Sequence, residues 1–307
     1  MSAAEAAPRA LAEDLAGVAT ELVACGSLEM GADGPDLAPR IAALLPAGTP
    51  VYVNHLPRRR LADSLPALLA LAAAGLEPVP HLAARRLSSR QEAQALLQDA
   101  VKRAGVRKLM LIGGDLPQPQ GPYRDAAALL GDCLADCGVR QIGFAAYPEG
   151  HPTIPTPRLA AALEEKLAQA AAAGIVPYLV TQFSFAPARI LAFAAEIARR
   201  HPAVPIYVGL AGPATPATLL RFAQRCGVSA SLRALQAEGM RAVRLFTHAD
   251  PSEQLIALAR HRLSGSAGNV VGVHLYSFGG VVKTADWMHA RITRAAPGPD
   301  GMAAKAR

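Results

Sequence analysis

Short apolar segments rich in strand-forming residues alternate with longer Ala/Leu/Arg segments of helical spacing over the whole chain. This alternation constrains the fold more than any other feature. It predicts strands at Leu22–Glu29, Pro50–Asn54, Glu77–Leu82, Lys108–Ile112, Gln141–Ala146, Val176–Gln182, Pro205–Leu210 and Asn269–Tyr276. Between them it predicts helices near Asp36–Leu45, Ala62–Ala74, Ser89–Ala104, Arg124–Cys137, Pro157–Ala173, Pro187–His201 and Pro216–Cys226, then a longer helical stretch from Ser229 to Arg262. Gly75, Gly105, Gly138 and Gly174 each sit just past a helix, where a left-handed residue ends it. Strands alternating with helices imply parallel strands joined by right-handed crossovers. Eight such units in 307 residues fit an α/β fold of the closed (β/α)8 TIM-barrel type, with an open doubly wound sheet as the alternative. The expectation is one domain over residues 1–294 and a flexible C-terminal tail over 295–307, where Pro297, Gly298, Pro299 and Gly301 cluster.

Composition removes several function classes. Hydrophobic residues make up 51% of the chain, enough for a large core, yet no apolar run approaches the roughly 20 residues that span a bilayer. Lys and Arg outnumber Asp and Glu by 31 to 24, with basic runs at Arg58–Arg60, Arg85–Arg86 and Arg199–Arg200. No aromatic residues interleave with these runs and no helix-turn-helix or zinc-finger spacing accompanies them. They read as solvated helix ends or as contacts for anionic small molecules rather than nucleic acid. Cys25, Cys133, Cys137 and Cys226 have neither disulfide-framework nor zinc spacing, so no metal is expected and the thiols read as helical core residues. The first 17 residues carry Glu5, Glu13 and Asp14 without an apolar h-region, so the cytoplasm is the expected location.

In a barrel of this kind the active site lies at the C-terminal ends of the strands. Here the predicted ends read Glu29, Asn54, His81, Gly114-Asp115, Tyr147, Gln182, Gly209-Leu210 and Tyr276. Three segments concentrate chemistry. Gly113-Gly114-Asp115-Leu116-Pro117 follows an apolar strand directly, so the backbone can approach a ligand and the Asp projects from the strand end. Tyr147-Pro148-Glu149-Gly150-His151-Pro152 packs a phenol, a carboxylate and an imidazole between stiffening prolines. Thr181-Gln182-Phe183 closes a buried-type strand on a side chain that both donates and accepts, suited to an amide or heterocycle edge. There is no nucleophile elbow, dinucleotide fingerprint or P-loop. Glu29 is the carboxylate at the mouth from the first strand, where partial burial would raise its pKa and suit it to general-acid work.

Taken in order, Pro80-His81-Leu82, Gly114-Asp115-Leu116-Pro117, Ala145-Ala146-Tyr147-Pro148-Glu149-Gly150-His151-Pro152, Thr181-Gln182-Phe183 and Val273-His274-Leu275-Tyr276 resemble the methylenetetrahydrofolate reductase family. The resemblance runs from about Ser27 to Tyr276. It implies a flavin-containing barrel that interconverts 5,10-methylenetetrahydrofolate and 5-methyltetrahydrofolate, with FAD as cofactor and NADH open as electron donor or acceptor. It implies catalytic roles for Glu29 as general acid, Asp115 beside the flavin and pterin, and Gln182 on the folate. It further implies flavin contacts at Asn54, His81, Gly114, Asp115, Tyr123, Ala146, Tyr147, His151 and Lys166. Folate contacts would fall on Glu29, Asp115, Gln182, Phe222 and Tyr276. A folate small molecule is the implied partner, with a homo-oligomer or an electron-transfer partner left open. The alternative reading is a folate-dependent methyltransferase, or a non-catalytic folate-binding protein, on the same barrel.

Overall fold

The computed structural model describes residues 3–55, 59–133, 138–228, 251–265 and 269–294. Its centre is a closed barrel of eight parallel strands in sequential order: β1 (Ser27–Gly31), β2 (Pro50–Asn54), β3 (Glu77–Ala83), β4 (Lys108–Ile112), β5 (Gln141–Ala146), β6 (Val176–Thr181), β7 (Ile206–Ala211) and β8 (Val270–Tyr276). Closure is made where Ser27 and Leu28 pair with His274 and Leu275. Around it run α1 (Ala3–Ala24), α2 (Ala38–Ala42), α3 (Leu65–Ala73), α4 (Arg90–Ala104), α5 (Ala126–Cys133), α6 (Thr156–Ala172), α7 (Pro187–Arg200), α8 (Pro216–Cys226), α9 (Ser252–Leu263) and α10 (Val281–Arg294).

The (β/α)8 expectation therefore holds, with changes at both ends: α10 after the last strand was not predicted, and the first strand begins later than expected. Leu22–Ala24 do not open the first strand; they end α1, a helix absent from the sequence reading. Leu22 and Val23 are fully buried there, and so short an apolar run has no period that separates strand from helix. Gly26 makes the break, since a Cβ would stand 2.8 Å from both the Val23 and Val273 carbonyl oxygens. The strand that follows runs on to Gly31, which puts Glu29 inside β1 rather than at its end. Of the long helix expected over Ser229–Arg262, the part within the described residues is α9. The tail at 295–307 lies outside them.

Local chemistry fixes several of the expected elements. The Ser89 hydroxyl accepts the Glu92 amide at 3.1 Å to cap α4, the Glu92 carboxylate returns to the Ser88 amide at 2.8 Å, and Gly105 ends the helix at φ +63°. The outward strand faces and the inner helix faces share one apolar layer that includes Leu28, Val51, Leu82, Leu109, Leu111, Phe144 and Leu179.

Inward-facing residues alternate along each strand and divide the barrel interior into two levels. The lower level is filled by Tyr52, Val79, Met110, Tyr178 and Val180, all buried. The Tyr52 hydroxyl donates to that of Tyr178 (3.0 Å), which donates to the Leu109 carbonyl (3.0 Å). Gly143 makes this possible, because a Cβ there would lie 2.5 Å from the Tyr178 ring. At the strand starts Lys108 pairs with Glu77 at 2.9 Å. The upper level is polar and open. Of the cysteines, Cys226 ends α8 half-buried, while Cys25 is exposed in the turn after α1 and is not a core thiol. The Cys133 side chain and Cys137 lie outside what is described. Among the described residues, no helix is long and apolar enough to cross a membrane, and no group of His, Cys, Asp and Glu is arranged to hold a metal ion.

Candidate active site

The upper level of the barrel opens into a cavity of about 1420 Å³ at the C-terminal ends of the strands. Ligand pockets commonly run to roughly 300–1,000 Å³, so this one has room for two sizeable molecules side by side.

Glu29 is a sheltered acid on its lining, with a side chain 13% exposed. One carboxylate oxygen, Oε2, accepts from Asn54 Nδ2 at 3.1 Å; the other, Oε1, meets His274 Nε2 at 3.3 Å and lies 4.0 Å from His81 Nε2. The far nitrogen of His274, Nδ1, is 2.8 Å from the Ser27 hydroxyl. With Nδ1 held by the Ser27 hydroxyl, Nε2 is the nitrogen that faces the carboxylate and can donate to it. Burial acts to raise the Glu29 pKa, but the hydrogen bond and charge of His274, the charge of His81 and the Asn54 amide together outweigh it and hold the acid below its ordinary value. The direction is the reverse of the sequence expectation. An acid at a strand end would have been desolvated without donors, whereas one inside β1 is flanked by side chains of β2, β3 and β8. His81 is pushed down to about 4, chiefly by burial and against the pull of Glu29, so it is neutral at neutral pH.

Several buried polar atoms lining the cavity have no hydrogen-bond partner among the described residues: Asn54 Oδ1, His55 Nδ1 and His81 Nε2 on the β2–β3 side, and both carboxylate oxygens of Glu149 after β5. An unsatisfied buried polar group costs about 1–3 kcal/mol, so five around one cavity mark where a ligand's own donors and acceptors belong.

Across the mouth, Asp115 stands on the turn after β4, where Gly114 adopts φ +90°. Its carboxylate pairs with Arg86 and lies 3.7 Å from Arg225 Nη2. Burial would raise its pKa, but these two guanidinium groups hold it low. Arg85 ties the same turn down by donating to the carbonyls of Leu116 (2.7 Å), Pro117 (2.5 Å) and Arg124 (3.1 Å).

On the β5–β6 side the wall carries Ala146, Tyr147, His151, Gln182 and Lys166. Tyr147 meets the His151 ring edge-on at 5.1 Å, and Gln182 folds back to accept the Phe183 amide at 3.1 Å. The Lys166 ammonium lies 5.2 Å from the centre of the Phe144 ring. Burial lowers its pKa to about 8 against the opposing charges of Asp125 and Glu165, and no described carboxylate pairs with it at ion-pair distance. Tyr276 lies across Gly209, its hydroxyl donating to the Thr181 carbonyl at 2.9 Å.

The residues singled out in the sequence thus converge on one cavity with two exceptions. Tyr123 is 2% exposed beneath the wall and donates its hydroxyl to Asp132 at 2.7 Å. Phe222 packs against Phe278, ring centres 4.7 Å apart, in an aromatic cluster beside the cavity rather than on its lining. The sequence reading missed Ser27 and the pairing of His274 with Glu29, although strict alternation along β1 and β8 puts Ser27, Glu29, His274 and Tyr276 on the inner face. It also missed Arg86, taken only as part of a basic run.

The family model for methylenetetrahydrofolate reductase matches residues 58–237, more than half of the chain. The chain belongs to that family. A 5,10-methylenetetrahydrofolate reductase from Pectobacterium carotovorum subsp. carotovorum is 40% identical over 78 residues, 25% of this chain and 26% of that protein. The stretch in common thus spans about a quarter of that relative's length. Among solved structures, a mutant tryptophan synthase α-subunit from Pyrococcus furiosus aligns with a TM-score of 0.47 at 12% identity, covering 87% of this chain and 95% of that one. A dihydropteroate synthase from Thermus thermophilus aligns with a TM-score of 0.43 at 16% identity, covering 86% and 92%. Within the methylenetetrahydrofolate reductase match fall His81, Asp115, Tyr147, His151, Lys166 and Gln182; Glu29, Asn54, His274 and Tyr276 lie outside it. The flavin that this family generally carries fits the residues present, since the orphaned Asn54 and His81 atoms can meet polar ring edges and Lys166 is a sheltered cation for a phosphate.

Proposed function

We propose that this protein is a methylenetetrahydrofolate reductase that interconverts 5,10-methylenetetrahydrofolate and 5-methyltetrahydrofolate with FAD as hydride carrier. The observation that carries the reading is a sheltered carboxylate, Glu29, facing a cavity large enough for two flat molecules and ringed by unpartnered polar atoms. Bound FAD would supply hydride acceptance and donation at N5 of its ring. Asn54, His81, Ala146, Tyr147 and His151 would hold it, with Gly114 allowing close approach and Lys166 meeting a phosphate. Asp115 and Gln182 offer an acceptor and an amide to the pterin edge, and Tyr276 forms a wall for the folate.

Closing or opening the methylene bridge moves one proton at N10 of the folate. Glu29 is the group positioned to take or give it. As a resting carboxylate, held by Asn54 on one oxygen and His274 on the other, it is poised to accept the N10 proton when methyl-folate is oxidised. In the reducing direction it must first be protonated, so that direction weakens sooner as pH rises. NADH as the electron donor or acceptor belongs to the same proposal, as does an oxidising role in one-carbon recovery.

The test is a visible absorbance spectrum of the purified protein, followed by anaerobic addition of 5-methyltetrahydrofolate. A flavin spectrum that bleaches on addition is the expected result. A colourless protein that takes up no FAD, or a flavin that methyl-folate does not reduce, would overturn the reading.

A further inference from the structure

We propose that Arg86 is a positioning residue: its guanidinium, buried behind the cavity rim, fixes the Asp115 carboxylate in place as an anion facing the ligand. The Asp115 side chain is 58% exposed on a glycine turn, a setting in which a carboxylate would ordinarily rotate freely in water. The Arg86 side chain is only 9% exposed, and Asp115 is the one carboxylate among the described residues that pairs with it. Burying a guanidinium is costly unless it meets a carboxylate, so Arg86 needs the Asp115 anion, and Asp115 gains a fixed partner in return.

The placement of Arg86 follows from its neighbour. Arg85 and Arg86 end the 3₁₀ turn Ala84–Arg86 directly after β3. Arg85 joins that turn to the loop after β4 through three carbonyls and through its own amide, which donates to the Gly113 carbonyl at 2.9 Å. With one arginine stapling the two loops, the next projects under the Gly113–Gly114 turn toward Asp115. The adjacent pair divides the work: Arg85 builds the turn and Arg86 charges it. Among the described residues the charged groups facing Asp115 are Arg86 from this turn and Arg225 from α8, and Arg225 is farther away and 63% exposed, where solvent screens it. A carboxylate backed by a buried cation accepts a hydrogen bond without becoming a base, which suits the recognition of a pterin or flavin N–H.

The consequence for turnover rests on the folate oxidoreductase reading; the electrostatic part does not. The test therefore starts with the ligand-free full-length protein carrying carboxyl-¹³C aspartate, with Asp115→Asn assigning the signal. Arg86→Gln is expected to move the Asp115 titration up toward the ordinary aspartate range, Arg86→Lys to recover most of the shift, and Arg225→Gln to move it less than Arg86→Gln does. An Asp115 titration unchanged in Arg86→Gln, or moved as far by Arg225→Gln, would overturn the proposal. Far-ultraviolet circular dichroism checks that each variant is folded, and the lysine variant serves if the glutamine one is not. With methyl-folate as substrate, Arg86→Gln should lower kcat/KM by about tenfold, a loss of roughly 1.4 kcal/mol in transition-state stabilisation, and Arg86→Lys should restore most of it. If no variant, nor the parent protein, turns methyl-folate over, the functional reading fails while the titration still decides the role of Arg86.

Discussion

At the scale of single residues, the site is governed by how Glu29 is held rather than by its presence. Its carboxylate is contacted by side chains from three other positions on the barrel interior, Asn54, His81 and His274, and the ring of His274 is itself oriented by Ser27. Glu29→Gln keeps the shape and removes the proton acceptor. The flavin content of the purified variant should match that of the parent, while its bleaching by methyl-folate slows by about 10²–10⁴, the usual weight of a general acid or base. Rapid mixing under anaerobic conditions measures this, and an unaltered rate would remove Glu29 from the chemistry. Glu29 could be picked from the sequence because an isolated acid stood near a strand end. Its lowered pKa could not, because that depends on partners as far as 245 positions away in the chain. Tyr123 and Phe222 carry roles implied by the family resemblance, and short-range sequence could not tell that Tyr123 is buried beneath the wall or that Phe222, on α8, turns into an aromatic cluster beside the cavity. One backbone outlier on this side, Phe278 at φ +49°, stacks on the cluster that absorbed Phe222.

Among the elements, β7 sets the geometry of the mouth through one absent side chain. Gly209 lets the Tyr276 ring lie flat across the strand; a Cβ there would stand 2.8 Å from the ring and would also collide with the Thr181 carbonyl, to which the Tyr276 hydroxyl donates. Gly209→Ala should therefore destabilise the fold by about 1–3 kcal/mol, as overpacking does, and displace Tyr276 from the cavity wall. Urea denaturation reads the first effect and the Kd for methyl-folate the second; a variant with parental values in both would show that the strand gives way without strain. Most elements were legible in the sequence because helix caps and strand lengths are local properties, as Ser89, Gly105 and the unchanged bounds of α8 attest. The first strand was not, since Leu22 and Val23 are as apolar as any strand residue and only packing against the barrel exterior assigns them to α1. That shift of a few residues moved Glu29 from the rim to the interior.

For the molecule as a whole, buried imidazole makes stability dependent on acid. The pKa of His81 is about 4 in the folded protein against 6.5 when exposed, so between those values the unfolded chain binds a proton that the folded one refuses. Stability is then fully present above pH 6.5 and declines as pH falls toward 4, by on the order of 3 kcal/mol in all. Glu29 acts in the same direction at lower pH: its folded pKa is depressed, so its contribution is present above its ordinary value and is lost as pH falls through the folded one. Urea midpoints across this range should fall less steeply for His81→Asn than for the parent, and parallel curves would exclude His81 as the source. The barrel and its eight-fold count were legible because parallel strands buried on both faces must be apolar throughout, whereas the filling of the interior was not. That filling matters for traffic. With Tyr52, Tyr178 and their apolar neighbours stopping the lower half, the described barrel has a floor beneath the chamber. Whatever reaches Glu29 therefore enters from the C-terminal ends of the strands and leaves by the same side, so arrival of substrate and departure of product share one direction.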